Sequence, residues 1–479
     1  PLATLMDENE GFLVDGSIVI KVEVHVGTLE SWTNADSRRL TGHVGIINQG
    51  MTCYMNSLLQ TMYNINVLRK AVYALPTNED EKPSESMPLA LQSVFHMLQF
   101  TDSAVDTEDL TKSFGWDTAD AYQQHDAQEF NRILCDRLEE VMKGTKVEGT
   151  INKLFQGHFQ NYIECINIDF KSVRKEEFLD LQLVVKDRKN IYESFDEYCA
   201  EEVLDGDNQY EAEGHGKQDA KKGGKFESLP PVLNIQLRRF EFDFYKMAMV
   251  KLNDIHEFYG EIDLDVRDDE GNLKYFTSTA DKTVSNKYKL LAVLVHSGNV
   301  HGGHYFAYIR PDGVNWLKFD DETVTRVSER EAIEDNWGVS TTPTRLRLAN
   351  AYMLVYVRAS EWDSIMCDVT EDDIARHVRV RLRAEEEARE HQRKEAAEAH
   401  LFTRLSVVTD AEIKRQVEST LFMDLVELDD LDDSLTMKLP KTTTFGQVKQ
   451  AMQEKTGIPV NQQRYWRISE TQQGVTRPR

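Results

Sequence analysis

An α+β protein, with one large domain and smaller pieces at either end, is what the sequence predicts. Three observations carry this. The chain has 479 residues, and about 150 residues per domain gives roughly three domains. Apolar residues make up 40% and charged residues 29%, ample for real cores and unlike bulk disorder. From about Gly42 to Ser360, apolar helical and strand patterns alternate with no long low-complexity break. One domain at the upper end of single-domain size follows.

Charge narrows the function. Lys and Arg number 56 against 82 Asp and Glu, a net charge of −26. With a pI near 5.0, a general nucleic-acid or anionic-membrane binder is disfavoured, and a basic partner or plain solubility is favoured. No run of about 18 apolar residues occurs, so no membrane-spanning helix is expected. The cysteines are Cys53, Cys135, Cys165, Cys199 and Cys367. Their odd number, wide spacing and lack of a C-x-x-C pair point away from a disulfide framework or a Cys-rich zinc site, and a reducing compartment is the default. The chain opens on Pro1 without a signal-like segment, which reads as a cut inside a longer chain.

In chain order, Ile18, Ile20, Val22, Val24 and Val26 alternate on one face of a half-buried strand within residues 1–26. This strand either joins the next domain or closes a preceding, trimmed one. Residues 27–41 are polar and read as linker. The large domain takes 42–360, with a mobile loop or hairpin tip at 205–225. Residues 370–400 lack Gly and Pro; Thr370 with Asp373 resembles a capping box, and Glu385–Arg389 and Glu390–Lys394 are i,i+4 pairs, so a solvated connecting helix ~45 Å long is expected. Residues 401–479 form a small separate unit. There Thr444 and Gln447 make a capping box, Gly457 takes the C′ position, and Phe445, Val448, Ala451 and Met452 form the stripe between them.

Three segments carry chemistry. In the first, Met55, Leu58, Leu59 and Met62 predict an amphipathic helix that places Cys53 in its first turn. Free N–H groups and the helix dipole favour an anion there, and Gly50 lets the preceding loop turn tightly. Cys53 is thus either a nucleophile or a small buried hydrophobe. In the second, a strand Leu290–Val295 leads through His296, Gly298 and His301–Gly303 to His304 at the head of another strand. Trp316 to Phe319 then form a third strand, ending in Asp320 and Asp321. Antiparallel neighbours would bring His304 beside Asp320 as base and orienter. Gly302 and Gly303, lacking side chains, leave room for a thin substrate. The alternatives are a surface histidine and a turn. A metal cluster of His296, His301 and His304 is disfavoured, because His-x-x-His across Gly-Gly is no helical zinc motif. The third segment, Gln123 to Phe130, opens a helix capped by Asp126.

Together these segments resemble the ubiquitin-specific protease family of cysteine deubiquitinases. Asn48 to Gln60 resembles its cysteine box. Residues His296 to Tyr305, Trp316 to Asp321 and Asn350 to Tyr356 resemble its histidine box, and Gln124 to Phe130 its glutamine-rich box. The resemblance spans about Gly42 to Arg358. Ser113–Trp116, Met142–Thr150 and Leu204–Tyr210 narrow it to a branch carrying an N-terminal MATH (TRAF-like) domain and C-terminal ubiquitin-like domains. The implied fold is a papain-like thumb, palm and fingers. A MATH strand remnant would precede it, and a partial ubiquitin-like domain would follow. Many relatives hold zinc in the fingers with two Cys pairs; the single Cys165 and Cys199 imply none, and no cofactor is implied.

The implied activity is hydrolysis of the (iso)peptide bond at ubiquitin's C-terminal glycine. The resemblance makes Cys53 the nucleophile, His304 the base and Asp320 its orienter, with Asp321 as backup or water positioner. Asn48 and the Cys53 N–H would hold the oxyanion. Gln124, Asp126, Gln128, Trp116, Phe240 and Tyr305 would grip ubiquitin, Asp126 as acceptor for an arginine of its tail. The implied partners are ubiquitin and ubiquitylated proteins, with adaptors reaching the MATH and ubiquitin-like regions, no nucleic acid and no membrane. The implied location is nucleus and cytoplasm. The rivals are a catalytically silent ubiquitin-binding scaffold and the same chemistry on a ubiquitin-like modifier.

Overall fold

The computed structural model describes residues 13–14, 17–18, 35–115, 126–300, 302–339, 349–399, 401–407, 414, 436–465, 468–470 and 476–478. It divides into two compact units, Pro1–Arg379 and Val380–Arg479.

The first unit starts with the pair β1 (Leu13–Val14) and β2 (Ser17–Ile18). Most of the expected N-terminal strand lies outside the described residues. A helical layer follows: α1 (Ala35–Thr41), α2 (Cys53–Tyr63), α3 (Asn66–Tyr73), α4 (Met87–Phe100), α5 (Glu108–Ser113), α6 (Ala127–Met142) and α7 (Thr150–Phe155). The expected linker 27–41 thus ends in a helix. Asp126 caps α6 by accepting from the N–H groups of Gln128 and Glu129, which satisfies two donors that no carbonyl of the helix can reach.

The apolar spacing of α2 predicted one buried face, yet every residue of the helix is buried. Several of its polar side chains bond to backbone carbonyls, while Asn56 Oδ1 is buried without a partner among the described residues. The Gln60 amide donates to Val44 O at 2.9 Å, and the Thr61 hydroxyl to Ser57 O at 2.9 Å. A central helix covered on all sides keeps polar residues mostly where partners are at hand.

The strands form two main sheets. The first carries β3 (Gly157–Cys165), β4 (Lys171–Phe178), β6 (Glu202–Leu204) and β9 (Ala220–Ser228) in the order β4-β3-β9-β6. Its edge strand β4 is blunted by Lys171, Arg174, Lys175, Glu176 and Glu177, all exposed. The stretch 205–225 is a hairpin of β7 (Tyr210–Ala212) and β8 (Gly216–Gln218) running into β9, so it is strand structure rather than a mobile loop. Cys165, Ala212 and Ala220 pack there with Ile163, Phe170 and Tyr210. Cys165 is thus a core residue of a small apolar cluster.

The second sheet has eight strands among the described residues, in the order β17-β16-β15-β14-β18-β10-β5, with β13 also on β14. These are β5 (Leu181–Val184), β10 (Val232–Arg238), β13 (Glu261–Asp263), β14 (Lys287–Asn299), β15 (Gly302–Ile309), β16 (Trp316–Asp320), β17 (Thr323–Val327) and β18 (Ala349–Arg358). Only β5 runs parallel to its neighbour. The middle of β14 and of β18 is buried without alternation, as expected of strands covered on both faces. A separate hairpin of β11 (Phe240–Asp243) and β12 (Ala248–Lys251) precedes β13.

After β18 the chain stays fastened to the helical layer beyond residue 360. The Asn66 amide donates to Cys367 O at 2.9 Å, the Gln99 amide to Val369 O at 3.1 Å, and Thr77 Oγ1 meets His377 Nε2 at 2.9 Å. The Thr370–Asp373 capping box exists but closes a short 3₁₀ turn. The connecting helix is Arg376–Ala399, 24 residues or ~36 Å. Arg389 and Glu390, and so the two expected ion pairs, lie outside the described side chains.

In the second unit, β19 (Phe402–Ser406) pairs antiparallel with β20 (Thr436–Pro440). The helix Phe445–Thr456 follows, opened by the Thr444–Gln447 capping box and closed by Gly457 at φ 73°. Val448 and Met452 pack with Met437, while Phe445 stays 57% exposed.

Candidate active site

Three distant segments meet at one end of β15. Cys53 opens α2, following Thr52, whose side chain makes no capping bond. The Thr52 hydroxyl instead accepts from Gln49 N at 3.0 Å and pins the loop. Cys53 is buried, and its sulfur accepts the Tyr305 N–H at 3.4 Å across 252 positions of sequence. The neighbouring His304 side chain is 41% exposed.

The register explains how His304 meets Asp320. Ala307 pairs with Phe319, so Asp320 falls opposite Phe306, two residues from His304 on the same face. His304 Nε2 and Asp320 Oδ1 lie 2.5 Å apart, and Lys318 Nζ donates to the other Asp320 oxygen at 2.5 Å. The Asp320 bond, then the Cys53 bond, hold the imidazole well above its ordinary value, at about 10, against the pull of burial. Burial alone would raise Asp320, but His304 and Lys318 together outweigh it and keep the carboxyl at about 2. The ring therefore carries both protons at neutral pH. With Nε2 on Asp320, Nδ1 is the nitrogen left for the sulfur.

Asp321 sits elsewhere than a second orienter would. It occupies the two-residue turn between β16 and β17 at φ 47°, a conformation aspartate tolerates better than most residues. Its Oδ2 accepts from Asn48 Nδ2 and its Oδ1 from Asn56 Nδ2, both at 2.8 Å. Its closest approach to His304 Nδ1 is 3.9 Å. Asn48 Oδ1 accepts from Gly50 N at 2.9 Å and Thr52 N at 3.2 Å. Both ends of the Asn48 amide are thereby fixed, and its second N–H remains for a developing oxyanion. His304, Asp320 and Asp321 each present a ligand-type atom within 4.8 Å of the others; here protein hydrogen bonds engage those groups.

The loop before Cys53 and the turn after Asp320 are locked together at Gly45. Ile46 N donates to Asp321 O at 2.8 Å, and a Cβ on Gly45 would lie 2.2 Å from that same oxygen. Gly45→Ala is expected to lower stability by about 1–3 kcal/mol through forced backbone shifts. It should lower activity further by moving Asp320 and Asp321 off the cysteine loop. A melting curve and a turnover assay at a temperature where the variant is folded check both.

The other predicted residues divide. Asp126 Oδ1 accepts from Gln128 N at 2.7 Å, and its Oδ2 takes the Tyr352 hydroxyl. The Gln128 amide is buried and donates to Asp180 at 3.0 Å, beside an Arg132–Asp180 ion pair, so it ties α6 to the start of β5. The Phe240 ring meets His296 at 5.3 Å and Tyr352 at 5.8 Å, and Tyr305 meets the same two rings. Trp116 and Gln124 lie outside the described residues. Gly303 is bare for a reason beyond substrate passage: a Cβ there would lie 2.2 Å from His296 Nε2, whereas Gly302 faces open space. The sequence reading missed Asn56, Lys318 and Tyr352 as site residues. Lys318, two residues before Asp320 on the same strand face, was the one that period-2 reasoning could have found.

A thiol, an imidazole and a carboxylate brought together between a helix start and an antiparallel sheet are the groups a cysteine-type hydrolase site needs. The family model described as ubiquitin carboxyl-terminal hydrolase matches residues 44–356. The chain belongs to that family, within its ubiquitin-specific protease group, and this domain has the papain-like fold. It is 50% identical to ubiquitin C-terminal hydrolase 12 of Arabidopsis thaliana, over 100% of this chain and 44% of that protein. Ubiquitin carboxyl-terminal hydrolase 7 of Drosophila melanogaster is 46% identical, over 87% of this chain and 36% of that protein. For ubiquitin carboxyl-terminal hydrolase 15 of Saccharomyces cerevisiae the figures are 42%, 95% and 40%. The chain thus spans less than half the length of these curated relatives.

Proposed function

We propose that this chain is the catalytic portion of a thiol-dependent deubiquitinase that hydrolyses the (iso)peptide bond after ubiquitin's C-terminal glycine. The convergence of Cys53, His304 and Asp320 carries this reading. Cys53 attacks the glycine carbonyl. His304, already charged at rest, hands its Nδ1 proton to the leaving lysine amine. Asp320 fixes the ring and stabilises its charge. Asn48 and the Cys53 N–H bind the oxyanion, with Asp321 holding Asn48 in place. Water, deprotonated by the now neutral His304, then releases ubiquitin from the thioester.

The tail runs past Phe240, Tyr305 and Asp126, where the carboxylate meets an arginine of the tail. Gln128 shapes this wall from behind, and Trp116 and Gln124 take part in gripping ubiquitin. The helical layer, the eight-stranded sheet and the β4-β3-β9-β6 sheet correspond to thumb, palm and fingers. Residues 1–26 correspond to a MATH remnant and 401–479 to part of a ubiquitin-like domain, which the β19–β20 pair followed by a capped helix supports. The partners are ubiquitin and ubiquitylated proteins, with adaptors on the flanking regions. The setting is nucleus and cytoplasm.

Reaction with ubiquitin carrying a C-terminal electrophile, followed by peptide mapping, tests the reading. The adduct is expected on Cys53 and absent in Cys53→Ala, with ubiquitin-like modifiers bearing the same group reacting far more slowly. An adduct on another cysteine, or faster reaction with a modifier, refutes it.

A further inference from the structure

Hairpin β11–β12 pairs with no other strand among the described residues. Its tip exposes Phe244, Tyr245 and Met247, each more than 70% accessible. At its base, Phe240 pairs with Lys251. The Phe240 ring lies edge-on to His296. Lys251 Nζ donates to His296 O at 2.8 Å and to Gly298 O at 3.3 Å. Those carbonyls end β14, just ahead of the turn that delivers His304. The strand ends flanking it approach closely. Gly298 has φ 122°, and a Cβ there would lie 2.6 Å from Gly302 O.

We propose that Lys251 is a positioning residue that ties the β14–β15 turn to hairpin β11–β12 and so sets the width of the passage for the substrate's extended tail. The inference rests on the ubiquitin-tail reading given above. A cationic multi-donor side chain suits the task because an ammonium has three donors, enough for two carbonyls. It acts on tail binding rather than on the bond-breaking step, since neither carbonyl belongs to the triad. Contact of a substrate with the apolar hairpin tip is relayed to the turn through this link.

Among the described residues, the charged and titratable groups that act on Lys251 include Arg239, at the junction of β10 and β11, and His296 on β14. Burial, then Arg239, pull the ammonium down to about 7. Burial, then Lys251, keep His296 neutral with a value of about 4. The link therefore loosens as pH rises past neutrality.

Steady-state hydrolysis of ubiquitin bearing a C-terminal fluorogenic amide, at about pH 6 and about pH 9, tests this. Lys251→Met should raise KM about tenfold at the lower pH with kcat nearly unchanged, the mark of lost tail binding. Lys251→Arg should restore KM and abolish the rise that the wild type shows between the two pH values. An unchanged KM in Lys251→Met, or a loss confined to kcat, overturns the inference. If the wild type does not turn over this substrate at all, the substrate reading is what fails. Amide exchange at the flanking strand ends, Ser297–Asn299 and Gly302–Gly303, then decides the inference alone: faster exchange in Lys251→Met supports it, and unchanged exchange overturns it.

Discussion

Asp320→Asn is expected to lower kcat on the order of 10⁴-fold, the loss seen when a triad carboxylate becomes an amide, while KM for ubiquitin substrates barely moves. The cause is specific to this site. Asp320 lies between His304 Nε2 and Lys318 Nζ, both within 2.5 Å. An asparagine has one acceptor oxygen, and the Lys318 ammonium draws it, because a charged donor makes the stronger bond. The amide N–H₂ then faces Nε2, which must accept, so the neutral ring holds its proton on Nδ1, the nitrogen facing Cys53. Such a ring has no free nitrogen facing the sulfur and lacks the carboxylate that stabilises its charge, so it does not reach the doubly protonated form the wild type holds at rest. The pH profile should change too. The wild-type imidazolium, held at about 10, keeps the general acid charged below that pH and loses it as pH rises through it. Without the carboxylate this value falls, so the alkaline limb moves to lower pH. Adding Lys318→Met should return part of kcat by freeing the amide to turn. An unchanged kcat in Asp320→Asn would remove Asp320 from the role.

Asp321→Asn should act by another route and reduce kcat about 10²- to 10³-fold, the cost of one misplaced oxyanion donor. Asparagine tolerates the φ of 47° at this turn, so the backbone is preserved. The loss arises in the side chain. Asp321 offers an oxygen to each of two amide donors, Asn48 Nδ2 and Asn56 Nδ2. An asparagine must turn its own N–H₂ toward one of them. If Asn48 is displaced, the oxyanion loses its side-chain donor; if Asn56 is, its buried amide keeps only the 3.4 Å bonds to Ile46 O and Ile47 O, and stability drops by about 1 kcal/mol. The two outcomes separate by measuring kcat beside the melting temperature. The alkaline limb should move far less than in Asp320→Asn, because Asp321 Oδ2 lies 3.9 Å from the imidazole Nδ1, beyond hydrogen-bond length. A shift as large as that in Asp320→Asn would make Asp321 an orienter after all.

Much of this was legible in the residues. The spacing of Met55, Leu58, Leu59 and Met62 located α2 and put Cys53 at its start. The apolar run from Leu290 to Val295 and the strand from Trp316 to Asp320 located the sheet that carries His304. The Thr444–Gln447 box and Gly457 bounded the last helix. These signals are local: periodicity, caps and turn residues act within a few positions. The α+β class and the order of the segments follow from them.

Partners distant along the chain were not legible. Nothing near Asp321 shows that its two oxygens serve Asn48 and Asn56, more than 260 positions away. Nothing near Gln128 shows that Asp180 claims its amide, or near Gly303 that His296 lies against it. The capping box at Thr370 was readable, but whether a long helix or a single turn followed depended on packing against α3 and α4. Side-chain roles in a site depend on which donors and acceptors remain after every buried polar group has found a partner. That matching is made in space by the register of β14, β15 and β16 against α2, so the chain alone offered the candidate groups, and the tertiary fold decided which neighbour holds each of them.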